Sequence, residues 1–135
     1  MNFRATPKQA LQALAAGFLC GALAFLAYRL LCGAPPESLS FLRILGICLA
    51  GPLLEEGVFR GLAFRAAQQY LGSKGAVLLC AALFGFAHWG IPNSFIAFAA
   101  GLVFGYIRVK DDSILSPILA HMSANIVLLI LQTVI

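Results

Sequence analysis

Between Gln9 and Gly33 the chain reads QALQALAAGFLCGALAFLAYRLLCG, a run without an acidic residue and with a single cation, Arg29. A stretch this long and this apolar exceeds the roughly 20 residues a helix needs to cross a hydrocarbon core about 30 Å thick. Inside lipid each backbone N–H and C=O must find its partner within the protein, which leaves a helix as the default for such a run. The run is too long for a signal-peptide core, and no cleavage site follows it, so a retained membrane span is expected. The rest of the chain is similar in character, 61% hydrophobic and only 10% charged, with a mean hydropathy of +0.95. That balance points to an integral membrane protein and away from a soluble helical domain. The net charge of +4 does not indicate nucleic acid, because the nine basic residues are scattered singly and form no patch. The four cysteines, Cys20, Cys32, Cys48 and Cys80, lie far apart in apolar sequence without zinc-finger spacing. They are expected to be small buried or lipid-facing residues.

Five helical segments are expected, at about 10–31, 40–70, 74–89, 94–109 and 114 to the C-terminus. Pro35 and Pro36 break the first from the second, LGSKG is a turn, and GIPN and KDDS mark the next two breaks. Pro52 is a candidate kink in the second segment. The expected fold class is an all-α, polytopic membrane helix bundle of about five transmembrane helices. Residues 1–38 would form an anchor helix and linker, and residues 39–135 the core. Placing the N-terminus inside puts Arg4, Lys8, Arg60, Arg65, Lys74, Arg108 and Lys110 inside, with Arg29 and Arg43 outside. This is the positive-inside orientation.

The polar residues in these spans carry the functional signal. Near the bilayer centre a charged side chain costs roughly 2.5–3.5 kcal/mol on insertion scales. Yet the spans hold Glu55, Glu56, His88, His121 and Asn125, which include both histidines of the chain. Glu56 and Arg60 are four apart and share a helix face, so Arg60 can pair with Glu56. Glu55 points about 100° away and has no cation nearby in sequence. Phe84 and His88 share a face of the third segment, and His121 and Asn125 a face of the fifth. Helix rise puts Glu55, His88, His121 and Asn125 at comparable depths, in one intramembrane cavity expected to open toward the inner side. Taken singly, each has a plainer reading. The Glu56–Arg60 pair would be a brace, a lone histidine or Asn125 an interhelical hydrogen-bonder, and Phe84 packing. Trp89 and Tyr106 read as interface anchors, and Gly101 and Gly105 as a close-packing face.

Three motifs on three segments resemble those of the CAAX protease and bacteriocin-processing family of intramembrane proteases, also called Abi or CPBP. EEGVFR (Glu55–Arg60) is similar to its EExxxR motif, FGFAH (Phe84–His88) to FxxxH, and HMSAN (His121–Asn125) to HxxxN, in the family's order. The resemblance implies a peptidase acting on a membrane-tethered protein or peptide that is prenylated, lipidated or hydrophobic-tailed. By the family's pattern Glu55 activates a water with help from His88. His121 and Asn125 polarise the scissile carbonyl and stabilise the oxyanion. Glu56, Arg60 and Phe84 support the site. A base for water and donors for the oxyanion are what peptide hydrolysis requires. No cofactor is expected. The alternative is a Zn2+ ion held by Glu55, His88 and His121, although no HExxH motif is present. The chain resembles a compact, prokaryotic-like member, expected in the inner (cytoplasmic) membrane with its site toward the cytoplasm. The bilayer and the tethered substrate are its expected partners, with no nucleic acid. Two competing functions are a non-catalytic immunity or scaffold protein and a small proton-coupled transporter.

Overall fold

A computed structural model describes residues 2–32 and 40–135. Its elements are all helical: α1 (Pro7–Cys32), α2 (Phe41–Leu45), α3 (Gly51–Glu56), α4 (Phe64–Phe86), α5 (Ile91–Asp111) and α6 (Leu115–Val134). Two π-helical stretches, Gly46–Ala50 and Gly57–Ala63, lie on either side of α3. The chain is a polytopic helical bundle. α1, α5 and α6 are each long and apolar enough to cross a membrane alone.

Residues 41–71 run end to end as a single rod, and the predicted LGSKG turn is a sharp break at Gly72. There φ is +66°, inside a helix that otherwise continues to Phe86. An L-residue with a side chain rarely adopts that φ, so glycine is the natural residue at the corner. The third segment stops at Phe86, three residues before the predicted end. The break after Pro35–Pro36, the 38/39 boundary and the side chain of Cys32 lie outside the described residues. Cys20, Cys48 and Cys80 are free thiols.

Small residues set the packing. α1 lies along α6 with Gly17 against the Ala120 carbonyl and Gly21 against the Ala124 carbonyl, so near that a Cβ on either glycine would collide. α4 and α5 form an antiparallel hairpin with Gly105 on Val77, Gly101 on Ala81 and Gly85 on Phe98. The expected Gly101–Gly105 face is thus a helix contact. Without a hydrophobic drive between helices in lipid, close backbone approach of this kind holds a bundle together.

Two ends of the bundle can be told apart. At one, the Asn2 carbonyl accepts from the Ile114 N–H at 2.9 Å, and Gln9 Nε2 donates to the Asp111 carbonyl at 3.4 Å. This basic end holds residues 2–9, the Gly72 corner and the α5–α6 turn. The opposite end holds the C-terminal turns of α1 and α4 and the start of α5.

Candidate active site

The rod delivers the two glutamates, and its irregular backbone aims them. Gly51 N–H reaches back five residues to the Gly46 carbonyl, the π-helical pattern. Pro52 has no N–H to give. The Ile47 carbonyl is therefore left without a backbone donor from the next turn, and Asn125 Nδ2 donates to it at 2.8 Å. So Pro52 does not simply kink the rod. It creates an acceptor that ties α6 to the rod, and one of the Asn125 amide protons is committed to it. π-turns inside longer helices frequently mark functional positions, and here two of them bracket Glu55 and Glu56.

Glu56 and Arg60 are fully buried. Arg60 Nη1 donates to Glu56 Oε1 at 3.0 Å, as the i, i+4 spacing predicts, and Arg60 Nη2 donates to the Gly101 carbonyl at 3.0 Å. The guanidinium sits 4.5 Å from the Phe84 ring centroid and 5.6 Å from that of Phe104. Rings at this range attract a cation electrostatically. Phe84 is therefore more than packing, since its face meets Arg60 and it lies between both imidazoles, 4.6 Å from His88 and 5.6 Å from His121.

His121 joins the two glutamates. Its Nδ1 is 2.9 Å from Glu56 Oε1, and its Nε2 is 3.8 Å from Glu55 Oε2. The first distance is a hydrogen bond and the second is too long for one. A carboxylate can only accept, so Nδ1 carries the proton and Nε2 is turned toward Glu55. Phe104 stacks on the His121 ring at 4.8 Å. The Glu55 carboxylate approaches His121. The Glu55 side chain is 37% exposed, unlike that of Glu56.

His88 is placed differently. Its Nδ1 faces the Phe84 carbonyl of its own helix at 2.8 Å, and Ser94 Oγ donates to the His88 carbonyl. The ring lines a cavity of about 270 Å³ together with His121, Asn125, Phe84 and Phe104. Glu55 is not among the residues lining that cavity. The structure thus brings Glu55, Glu56, Arg60 and His121 into one chain of contacts, and His88, His121 and Asn125 onto one cavity wall. His121 belongs to both. Among the described residues no three His, Cys, Asp or Glu side chains group closely enough to hold a metal ion.

Sequence reasoning did not single out Phe104 or the Gly101 carbonyl. Phe104 lies between the two glycines of the packing face, and only the docking of α5 on α4 brings it over His121. The cavity lining extends to Tyr28, Trp89 and Asn93, near the end of the bundle away from residues 2–9 and the α5–α6 turn.

A profile of the family described as "Type II CAAX prenyl endopeptidase Rce1-like" matches residues 37–127. The chain is also similar to a Bacillus subtilis (strain 168) protein named "Putative membrane peptidase YdiL", 30% identical over 91 residues. Those residues are 67% of this chain and 37% of that protein, so the chain spans little more than a third of its relative's length. No solved structure gives a significant match.

Proposed function

The chain belongs to the Rce1-like family of type II CAAX prenyl endopeptidases, and from that premise we propose that it hydrolyses a peptide bond in a membrane-tethered protein or peptide. In the proposed reaction the Glu55 carboxylate takes a proton from water, and the hydroxide attacks the scissile carbonyl carbon. The negative charge that develops on the carbonyl oxygen is met by a doubly protonated His121, which donates from Nε2 while its Nδ1–H stays on Glu56, and by the second amide proton of Asn125. Collapse of the intermediate breaks the C–N bond, and Glu55 returns its proton to the leaving amine. Glu56 accepts from His121 Nδ1–H and so fixes the ring, while Arg60 neutralises Glu56. His88, on the cavity wall, would orient the substrate or the water.

The observation that carries this reading is the 3.8 Å approach of Glu55 Oε2 to an imidazole nitrogen whose partner nitrogen is held by a second carboxylate. It supports the reading because general base catalysis with oxyanion stabilisation needs a free carboxylate beside a group that can donate to the oxyanion. The proposed chemistry uses no metal, so cleavage should persist in a zinc chelator.

The test is mass spectrometry of membrane-tethered candidate substrates incubated with wild type and with Glu55→Gln. Removing a general base typically costs about 10²–10⁴-fold, and a loss of that size is expected. Equal products from both proteins would reject Glu55 as the base. No product from either, with an intact immunity or assembly phenotype, would indicate the non-catalytic reading. Altered proton flux without peptide product would indicate the transporter.

A further inference from the structure

α4 ends at Phe86, and His88 closes it off. The last carbonyls of a helix have no partner within it and must find one outside. The His88 N–H donates to the Gly85 carbonyl at 3.1 Å, and His88 Nδ1 meets the Phe84 carbonyl at 2.8 Å. A carbonyl oxygen only accepts, so Nδ1 carries the proton. The neutral ring is left with a bare Nε2, whose lone pair can accept from water or from a peptide N–H. His88 thus offers an acceptor where His121 is asked for a donor.

The ring is carried by the turn over residues 87–90, whose corner is Gly90 at φ +92°. The carbonyls of that turn are met from the first turn of α5. Ser94 Oγ donates to the His88 carbonyl at 2.7 Å, and Asn93 Nδ2 to the Trp89 carbonyl at 2.9 Å. The Ser94 N–H donates to the Gly90 carbonyl at 2.9 Å. Asn and Ser at a helix start ordinarily accept from the first N–H groups of their own helix. Here both side chains donate backward instead, onto the turn that holds His88, and no side chain caps the start of α5.

We propose that Ser94, with Asn93, is a positioning residue for His88. The two side chains latch the α4–α5 turn, so that Nδ1 stays on the Phe84 carbonyl and Nε2 stays free to accept. Resting on the peptidase reading, this makes His88 an acceptor for the water or for a substrate N–H, and Ser94 acts through His88 rather than on the substrate. Without the latch the turn can shift, and the ring can leave the Phe84 carbonyl and place its proton on Nε2. The accepting nitrogen is then lost although His88 itself is unchanged.

Two measurements on the full chain in micelles test this. The first is nitrogen NMR of protein carrying isotope-labelled histidine. In the parent, His88 is expected with a protonated Nδ1 and a bare Nε2. Ser94→Ala, and more so Ser94→Ala with Asn93→Ala, should mix the two tautomers. A proton on Nε2 in the parent, or an unchanged spectrum in the variants, overturns the proposal. The second is cleavage of a membrane-anchored reporter peptide. Ser94→Ala should lower kcat about tenfold with KM little changed, since misplacement caused from beyond the reacting groups can cost up to about a hundredfold. In a His88→Ala background the same substitution should change kcat by less than about twofold, because its effect runs through the missing ring. Equal losses in both backgrounds would make Ser94 a merely structural residue and overturn the proposal. Where the parent cleaves nothing, the peptidase reading falls, and the NMR result alone decides the latch.

Discussion

Glu56 and Arg60 share a burial with no access to water, so neither can be removed without stranding the other. Breaking a buried ion pair from one side typically costs about 3–5 kcal/mol, whereas replacing both partners with neutral groups can cost far less. Arg60→Met should therefore destabilise the folded bundle by an amount in that range, and Glu56→Gln with Arg60→Met should recover part of the loss. Unfolding in mixed micelles of the two single variants and the double variant checks this, and additive losses would refute it. Glu55 behaves differently because it is partly exposed and has no direct hydrogen-bond partner. Glu55→Gln should leave the unfolding midpoint near wild type while removing cleavage. The pairing of Glu56 with Arg60 was legible in the sequence, because a four-residue step on a helix fixes the geometry. The role of His121 as a bridge between the two glutamates was not. That contact joins residues from two helices far apart in the chain, and its distances depend on how α6 docks on the rod.

At the level of elements, the helices could be read from apolar runs and glycine or proline breaks, and the Gly72 corner fell inside the predicted turn. The two π-helical stretches could not be read, since composition does not separate a π-turn from an α-turn. Their effect follows from Pro52 and the unpaired Ile47 carbonyl. Pro52→Ala restores an N–H at that position, letting it compete with Asn125 for the carbonyl. Asn125→Ala and Pro52→Ala should thus be strongly non-additive in cleavage rate, and a double-mutant cycle measures it. Independent effects would show that the Asn125–Ile47 bond does not hold α6 to the rod. The α1–α6 seam makes a second demand. Gly21→Val forces bulk against the Ala124 carbonyl, and overpacking of this kind typically costs about 1–3 kcal/mol. Reduced stability in micelles, or α1 lost from a disulfide-trapping assay against α6, is the expected outcome.

For the whole molecule, the decisive fact is that the basic residues gather at one end of the bundle. The charge bias was plain in the sequence. The lining of the cavity was not, because a cavity belongs to the space between helices and no single segment encodes it. Trp89 offers a readout, being the sole tryptophan of the chain, a lining residue of the cavity and exposed. Aqueous acrylamide should quench its emission, and occupation of the cavity by a non-cleavable peptide should protect it. Unchanged quenching with saturating peptide would place the binding site elsewhere.

The His121 imidazole is gripped by Phe104 on one face and by the edge of Phe84, with Nδ1 tied to Glu56. A ring so confined cannot swivel to swap its two nitrogens between one round and the next. Whatever contact Nε2 makes with a substrate is made from the same position every time, so the group works like a fixed contact in a circuit rather than a rotating switch.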